Sequence, residues 1–195
     1  RAPLATDAAK FDVQIYCDGA CEPNPGNAGS GMAIYRNGVV TQLWYGLYNP
    51  TGTNNTAELT ALHQALVFAE QEIATGSSVQ ILSDSSYAIS CISKWAAGWE
   101  KKGWKRTGGD IKNLELIKTA YALYSSIQSQ LTLTQVSAHV GTEGKGLADR
   151  MAIGEPRRAT RQVAAVVGMI ENDDLRRKHG SGAGFQPAII KTRQA

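Results

Sequence analysis

The chain has 195 residues, of which 43% are hydrophobic, and a formal net charge of +3. This length and composition fit one domain with a proper core plus some extra length, and they exclude two full domains. Three cysteines without CxxC spacing suggest neither a disulfide framework nor a structural zinc site, so we expect a reducing compartment. No apolar run approaches the about 18 residues of a membrane span, and no leader pattern is present, so we expect a soluble cytoplasmic protein.

The basic residues are concentrated toward the C-terminus. Residues 155–195 contain 8 Lys and Arg against 4 Asp and Glu, whereas residues 1–154 contain 12 against 13. We therefore divide the chain into a loose arm at 1–10, a main domain at 11–154 and a basic tail at 155–195. For this tail the composition is consistent with disorder, with a helix at 162–170 and with contact to nucleic acid.

Three antiparallel strands open the predicted fold. Apolar and polar residues alternate up to Asp18, which is typical of a half-buried strand, and a loop rich in proline and glycine follows. This pattern predicts that the first strand, at about 12–19, stops at or just past Asp18. The second strand is predicted at about 29–36 and the third at about 39–48, because the Asn-Gly pair at 37–38 is a strong hairpin signal.

Asp18 is the first candidate functional residue. Its side chain lies in a strand with apolar neighbours, where an unpaired carboxylate costs several kcal/mol. The residue therefore either binds something or caps the turn that follows. The strand alone leaves both interpretations open.

The second candidate, Glu58, lies in the first turn of a helix predicted at about 56–74, whose leucines keep helical spacing. Asn54 or Asn55 is the expected N-cap of this helix. An acid at this position also interacts favourably with the helix dipole, by less than about 1 kcal/mol. Taken alone, Glu58 fits that interpretation better than a functional one.

The third candidate, Asp84, follows a short, continuously apolar run at 79–82, which predicts a central strand reached by a crossover. A helix is predicted next, at about 87–99. Asp84 thus lies at the carboxyl end of an interior strand, where α/β sheets place their sites. An N-cap role for the same residue is equally open.

Two further candidates lie near the end of the main domain. After a helix predicted at about 111–126 and a strand at about 131–136, His139 lies in a loop with several glycines. Asp149 follows on a short last helix. A lone histidine is more often structural than catalytic, and Asp149 alone is consistent with a surface acid.

These acids occur in motifs that together resemble type 1 ribonucleases H. The resemblance covers about residues 12–153 and follows the family's order and near-family spacing, in YCDGACEPNPGNAGSG, TNNTAEL, LSDSSY, WAAGWEKKGWK and SAHVGTEGKGLADRMA. It implies an α/β protein with the ribonuclease H-like fold, a five-stranded mixed sheet in the order 3-2-1-4-5 with helices on both faces. Residues 11–154 would then form the catalytic domain.

The resemblance also implies a metal-dependent active site, whose ligands would be Asp18, Glu58, Asp84 and Asp149. Acids brought so close cannot all stay ionised unless cations offset their repulsion. Oxygen ligands of this kind select Mg²⁺, with Mn²⁺ as a substitute, and two such ions suit phosphodiester cleavage. In this interpretation His139 shuttles protons or helps the product leave.

The implied reaction is endonucleolytic cleavage of the RNA strand of an RNA–DNA hybrid, by a monomer, leaving 5′-phosphate and 3′-hydroxyl ends. Contacts to 2′-hydroxyls are expected from the backbone near Cys21 and from the side chains of Asn24 and Asn55. Contacts to a phosphate of the DNA strand are expected from Thr53 and Asn54. A basic protrusion would hold the DNA backbone through Trp95, Trp99, Lys101, Lys102, Trp104 and Lys105. For at least one of these tryptophans, packing between helices is the simpler interpretation.

Two positions depart from the family pattern. Ser86 stands where many members have Gln, which shortens its reach toward the RNA, and Lys145 stands where Asn is usual. That lysine either competes with the second metal ion or contacts the scissile phosphate, which puts the level of activity in question. A non-catalytic or weakly catalytic hybrid-binding module therefore stays open as an alternative. Another enzyme of the same superfamily is a third interpretation, but it would not be expected to keep TNNTAEL or the protrusion.

Overall fold

The computed structural model describes residues 10–137 and 142–154, with three short segments at 170–171, 185–188 and 191–192. The main domain contains the strands β1 (Val13–Cys21), β2 (Gly26–Arg36), β3 (Val39–Gly52), β4 (Val79–Ser83) and β5 (Leu131–Gln135). The C-terminal segment adds β6 (Ile170–Glu171), β7 (Phe185–Ala188) and β8 (Lys191–Thr192).

The strands of the main domain form a mixed sheet in the predicted order 3-2-1-4-5. β1 lies at its centre, since it pairs antiparallel with β2 and parallel with β4. β3 and β5 lie outside these two neighbours. The first strand is longer than predicted, because its pairing with β2 continues as far as Cys21 opposite Ala28. The structure confirms the predicted fold class.

A sixth strand extends this sheet. β7 pairs antiparallel with β3, with Leu43 opposite Ala188 and Gly46 opposite Phe185. β6 and β8 form a separate two-stranded pair. Part of the predicted basic tail therefore joins the sheet of the main domain, which the sequence pattern did not indicate.

Parts of the predicted domain division lie outside the described residues. These are residues 1–9 of the predicted arm and residues 155–169, 172–184, 189–190 and 193–195 of the predicted tail, which include residues 162–169 of the candidate helix. Residue 170, the last of that candidate helix, begins β6. The boundary placed at residue 154 remains a prediction.

Helices lie on both faces of the sheet, and their bounds are α1 (Asn54–Ala74), α2 (Ser86–Ser90), α3 (Ala96–Lys101), α4 (Leu114–Ile127) and α5 (Glu143–Ala152). A π-helical segment at Cys91–Trp95 divides the helix predicted at 87–99, and a 3-10 turn at Gln128–Gln130 follows α4. α4 begins later than predicted because Asn113 has a positive φ of 59°, which an α-helix does not accommodate. No helix in the described part of the chain has the length and apolar character needed to cross a membrane.

The N-cap of α1 differs from the predicted one. Thr53 takes this position in place of Asn54 or Asn55, and its Oγ1 accepts a hydrogen bond from the backbone N–H of Thr56 at 3.2 Å. Both residue types, threonine and asparagine, are good caps. The choice among them is made by the end of β3 at Gly52, which leaves Thr53 with the extended backbone that an N-cap requires.

The two faces of the sheet bury different residues because side chains alternate along each strand. On one face, Ile15 and Ile34 pack with the leucines of α1 in the main hydrophobic core. On the other face, Ala33 packs with Leu147 and Met151 of α5 in a smaller cluster. α1 and α5 therefore cover opposite faces, with β1 and β2 between them.

Candidate active site

Asp18 is the residue around which the site is built. It lies on β1 opposite Gly31 of β2, and only 9% of its surface is exposed. Because β1 is the central strand, neighbouring strands approach Asp18 from both sides. A carboxylate placed here is largely removed from water, which favours its protonated form unless a cation is near.

Asp84 lies beside Asp18 because β1 and β4 are parallel. Tyr16 of β1 is paired with Leu82 of β4, and each acid follows its strand residue two positions later. The carboxyl ends of parallel neighbours meet at the same edge of a sheet. The N-cap of α2 is Ser85, whose Oγ accepts a hydrogen bond from that helix's backbone at 3.0 Å, so the capping interpretation of Asp84 is wrong.

Glu58 reaches the same edge because α1 crosses β1 at a glycine. A Cβ atom on Gly19 would lie 2.2 Å from the carbonyl carbon of Ala57 and 2.3 Å from the backbone nitrogen of Glu58, so the approach requires glycine. The hydroxyl of Ser85 donates a hydrogen bond to Oε2 of Glu58 at 2.6 Å. Ser85 thus caps one helix and orients an acid on another, a role that the sequence analysis missed.

The helix α5 brings Asp149 and Lys145 to the site from the other face. A Cβ atom on Gly31 would lie 2.3 Å from a backbone oxygen of α5, so this helix also rests directly on the sheet. At its start, the hydroxyl of Tyr35 donates to Oε1 of Glu143 at 2.6 Å. Asp149 is exposed to solvent, unlike Asp18, whereas Lys145 is partly buried.

Burial and neighbouring charges together set the protonation of the acids. Burial raises the pKa of Asp18 to about 8, and the charges of Asp84, Asp149 and Glu58 add to the shift while Lys145 opposes it. The pKa of Glu58 is also raised, mainly by burial, against the hydrogen bond from its serine partner. Since the other acids all act on Asp18, this residue is the electrostatic centre of the cluster.

Lys145 forms an ion pair inside the cluster. Its Nζ lies 3.1 Å from Oδ2 of Asp84, and the two side chains are only 17% and 16% exposed. Burial by itself would lower the pKa of Lys145. The hydrogen bond to Asp84 and the charges of Asp84, Asp18 and Asp149 outweigh this effect, so its pKa lies above the ordinary value. The lysine therefore adds a positive charge to the site.

The chemistry of the four carboxylates fits a hard divalent cation. Burial, and after it the charges of the other acids, raise the pKa of Asp18, and a bound cation would favour the ionised carboxylate against both effects. Within residues 10–137 and 142–154, no three His, Cys, Asp or Glu side chains are arranged to hold a metal ion as they stand. In the present arrangement the ammonium group of Lys145 pairs with Oδ2 of Asp84. His139 lies outside the described residues.

A cavity of about 690 Å³ lies at the N-terminal end of α1. Six of the predicted substrate-binding residues line it, namely Asn24, Thr53, Asn54, Asn55, Trp95 and Trp99. The other six lining residues, none of them among the predicted site residues, are Thr56, Tyr87, Arg106, Ile111, Lys112 and Asn113. The cavity thus joins two motifs, TNNTAEL and the tryptophan-rich segment, that are far apart in the sequence.

Asn113 connects the elements around this cavity. Its Oδ1 accepts a hydrogen bond from the hydroxyl of Thr56 at 2.9 Å, and its Nδ2 donates to the hydroxyl of Tyr87 at 3.1 Å. On the opposite loop, Oδ1 of Asn24 accepts from the backbone N–H of Asn54 at 3.2 Å. An asparagine just before a helix was the available sequence signal, and it indicates a cap rather than this network.

The tryptophans of the predicted protrusion differ in exposure. Trp95 is 45% exposed, and its ring lies 6.0 Å from that of Trp99. Trp104 packs edge to face against Tyr121, and Nζ of Lys118 lies 5.7 Å from the Trp104 ring centroid. Packing between helices therefore describes Trp104 well. The lysines of this segment are exposed, namely Lys101, Lys102 and Lys105.

Cys21 and Ser86, both predicted to lie near the RNA, occupy different depths. Cys21 is buried, and its thiol donates to the carbonyl oxygens of Pro23 at 3.2 Å and Gly52 at 3.5 Å. Ser86 is exposed at the first position of α2. The contacts of both residues with RNA remain predictions.

Comparison with known proteins identifies the family of this chain and solved structures with its fold. The family model for RNase H matches residues 10–155. A protein named Ribonuclease H from Pseudomonas fluorescens is 35% identical over 72% of this chain and 89% of its own length. A second, from Methylorubrum extorquens, is 33% identical over 71% of this chain, and the match spans 57% of that relative's length.

Solved structures share the fold at lower sequence identity. The PFV RNase H domain has a TM-score of 0.61 and 21% identity, over 76% of this chain and 96% of that domain. The foamy viral protease-reverse transcriptase in complex with an RNA/DNA hybrid has a TM-score of 0.65 and 16% identity, over 81% and 22% of the two chains.

The fold, the arrangement of the acids and these matches define a nuclease of the hydrolase class. The chain belongs to the RNase H family. The acids, Lys145 and the cavity all lie within the residues that the family model matches.

Proposed function

We propose that the chain is an endoribonuclease that cleaves the RNA strand of RNA–DNA hybrids and leaves 5′-phosphate and 3′-hydroxyl ends. The observation that carries this proposal is the convergence of Asp84, Asp149 and Glu58 on Asp18, whose pKa is raised first by burial and then by the charges of these acids. Such a cluster lowers the free energy of unfolding of the metal-free protein, because buried like charges repel one another. A role in binding cations explains why the cluster is there. Family membership and a structural relative bound to an RNA/DNA hybrid support the same substrate.

In this proposal two divalent ions, Mg²⁺ or Mn²⁺ in its place, are held by the carboxylates of Asp18, Glu58, Asp84 and Asp149. When bound, such ions supply an activated water molecule and stabilise the leaving oxygen of the phosphodiester. Asp18 holds the central position, and Ser85 keeps the carboxylate of Glu58 oriented. His139 shuttles protons or helps the product leave.

The hybrid is proposed to lie across the cavity at the start of α1. Asn24, Asn55 and the backbone at Cys21 recognise 2′-hydroxyls, while Thr53 and Asn54 hold a phosphate of the DNA strand. The exposed lysines and Trp95 of the protrusion add affinity that does not depend on sequence. We also propose that the chain acts as a monomer in the cytoplasm.

The decisive experiment is a cleavage assay on an RNA–DNA hybrid, duplex DNA, duplex RNA and single-stranded RNA, with Mg²⁺, with Mn²⁺ and with chelator. We expect cutting of the hybrid alone, and only with a divalent ion. Asp84→Asn should slow cleavage by roughly 100-fold or more, because it removes a ligand charge. Glu70→Gln makes a similar change at an exposed position of α1 and should cleave at the wild-type rate. Cleavage of the hybrid that persists in chelator would contradict the proposal.

One observation favours a second candidate, a hybrid-binding module with little or no catalysis. The ion pair between Lys145 and Asp84 holds a cation against one of the proposed ligands. Tight hybrid binding without cutting in any metal would support this candidate. Lys145→Asn would then show whether the lysine alone suppresses cleavage.

A further inference from the structure

The position of Lys145 in the acidic cluster has a chemical consequence for metal binding. Its ammonium group lies 3.1 Å from Oδ2 of Asp84, with both side chains largely shielded from water. Asp149 lies one helical turn farther along α5, on the same side of that helix. A flexible four-carbon stem therefore carries a positive charge into the space between α5 and the end of β4.

The same charge acts on more than one acid. Asp18 lies on the strand that pairs in parallel with that of Asp84, and Asp149 lies on α5 with Lys145, so acids on three elements lie around the ammonium group. Glu58 is held separately, by the hydroxyl of Ser85. Lys145 thus neutralises the part of the cluster formed by β1, β4 and α5, where the repulsion is concentrated.

We propose that Lys145 is a tethered counter-cation, which pairs with Asp84 in the metal-free protein and leaves it when a divalent ion takes that carboxylate. The inference rests on the proposed function in that it takes the acids to be metal ligands. Two like charges cannot share the same shielded oxygen without strong repulsion, so binding of the ion requires the ammonium group to move away. Lys145 accordingly stabilises the metal-free fold and weakens divalent-ion binding.

Substituting a residue of a metal site ordinarily weakens metal binding. This inference predicts the opposite for Lys145, because loss of its charge should strengthen the binding of a divalent ion. We would titrate Mn²⁺ into the full-length, metal-free chain and measure the free ion by electron paramagnetic resonance. Lys145→Met keeps the length of the side chain and its helix propensity while it removes the charge. We expect it to bind Mn²⁺ on the order of tenfold more tightly, or better.

Two controls separate the local charge from the net charge of the protein. Lys94→Met makes the same substitution at an exposed position of the π-helical segment and should leave Mn²⁺ affinity within about twofold of the wild type. Lys145→Arg keeps a cation at the position and should bind Mn²⁺ with nearly wild-type affinity. Lys145→Asn provides a second neutral variant, and thermal unfolding in chelator checks that each protein is folded.

The outcomes are distinct. Unchanged or weaker Mn²⁺ binding in folded Lys145→Met and Lys145→Asn would overturn the inference. If these variants instead lose hybrid affinity in chelator while their Mn²⁺ affinity is unchanged, the lysine is a phosphate contact and the inference also fails. Failure of the proposed function is seen separately, as absence of hybrid cleavage by the wild type, and does not depend on how Lys145 affects Mn²⁺ affinity.

Discussion

At the scale of single residues, the site holds together acids that repel one another. Burial, with the like charges of its neighbours as a smaller cause, raises the pKa of Asp18 to about 8. Lys145 offsets part of this repulsion through its ion pair with Asp84, and Ser85 hydrogen-bonds Glu58. The free energy of unfolding of the metal-free protein should therefore depend on pH through the protonation of Asp18.

The free energy of unfolding of the metal-free protein should fall as the pH rises from about 4 to about 8. Asp18 titrates near 3.8 in the unfolded chain and near 8 in the folded one, so over this range the folded state binds more protons. Asp18→Asn removes this penalty. We expect the variant to exceed the wild type by at least about 1.4 kcal/mol at pH 8, the equivalent of one pKa unit, and to match it near pH 4.

Urea unfolding in chelator at several pH values measures this effect. Asp110→Asn changes an exposed acid to its amide and serves as the control. Its free energy of unfolding should vary with pH as that of the wild type does. A wild-type protein equally stable at pH 5 and pH 8, with no gain in Asp18→Asn, would contradict the expected protonation of Asp18.

The sequence predicted the acids of the site better than their supports. Asp18 lies within a recognisable strand pattern and Asp84 just after another, so the strand order that the resemblance implies was enough to expect their proximity. Ser85 could not be singled out, because Ser83, Asp84 and Ser85 are all capping residue types. Only the three-dimensional structure shows which of them caps α2 and which faces the site.

At the scale of elements, the site depends on how closely two helices approach the sheet. α1 rests on the backbone of β1 at Gly19, and α5 rests on β2 at Gly31. These close approaches place the helices that carry Glu58 and Asp149 directly against the sheet. Both glycines lie within the first quoted motif, where the sequence shows only that a loop is near.

Gly19→Ala should damage both stability and catalysis. The added Cβ would lie 2.2 Å from the backbone of Ala57, so α1 must shift and carry Glu58 with it. We expect a loss of about 1–3 kcal/mol in the free energy of unfolding. Hybrid cleavage should fall under conditions where the variant is fully folded, as measured by urea unfolding and the cleavage assay.

Gly98→Ala provides the matched control for this change. A Cβ at Gly98, on α3, meets no atom within 4 Å, and alanine favours a helix by up to about 1 kcal/mol over glycine. The control should therefore be at least as stable as the wild type. Equal stability and activity of Gly19→Ala would show that the close approach of α1 is not required.

At the scale of the whole molecule, the C-terminal segment completes the edge of the sheet. β7 pairs with β3, which would otherwise be the outermost strand on that side. The sequence did not indicate this strand because it is only four residues long and its partner lies some 140 residues earlier in the chain.

Ending the chain after residue 184 should therefore expose the outer edge of β3. We expect faster amide hydrogen exchange at residues 43–46 of β3, since the partner strand is lost. Exchange in β1 should stay slow, because both of its neighbouring strands remain. Equal protection of β3 in the two chains would show that β7 does not hold this edge in solution.

The site is divided between parts of the molecule that need not open together. Asp18 lies on the central strand, which can be released only by disrupting the sheet, whereas Lys145 and Asp149 lie on the ten-residue α5. A sub-global opening of α5 would leave Asp18, Glu58 and Asp84 on an intact framework without their cation. Because α5 would carry away one positive and one negative side chain together, the formal charge of the remaining cluster would stay the same while its number of proposed ligands falls from four to three.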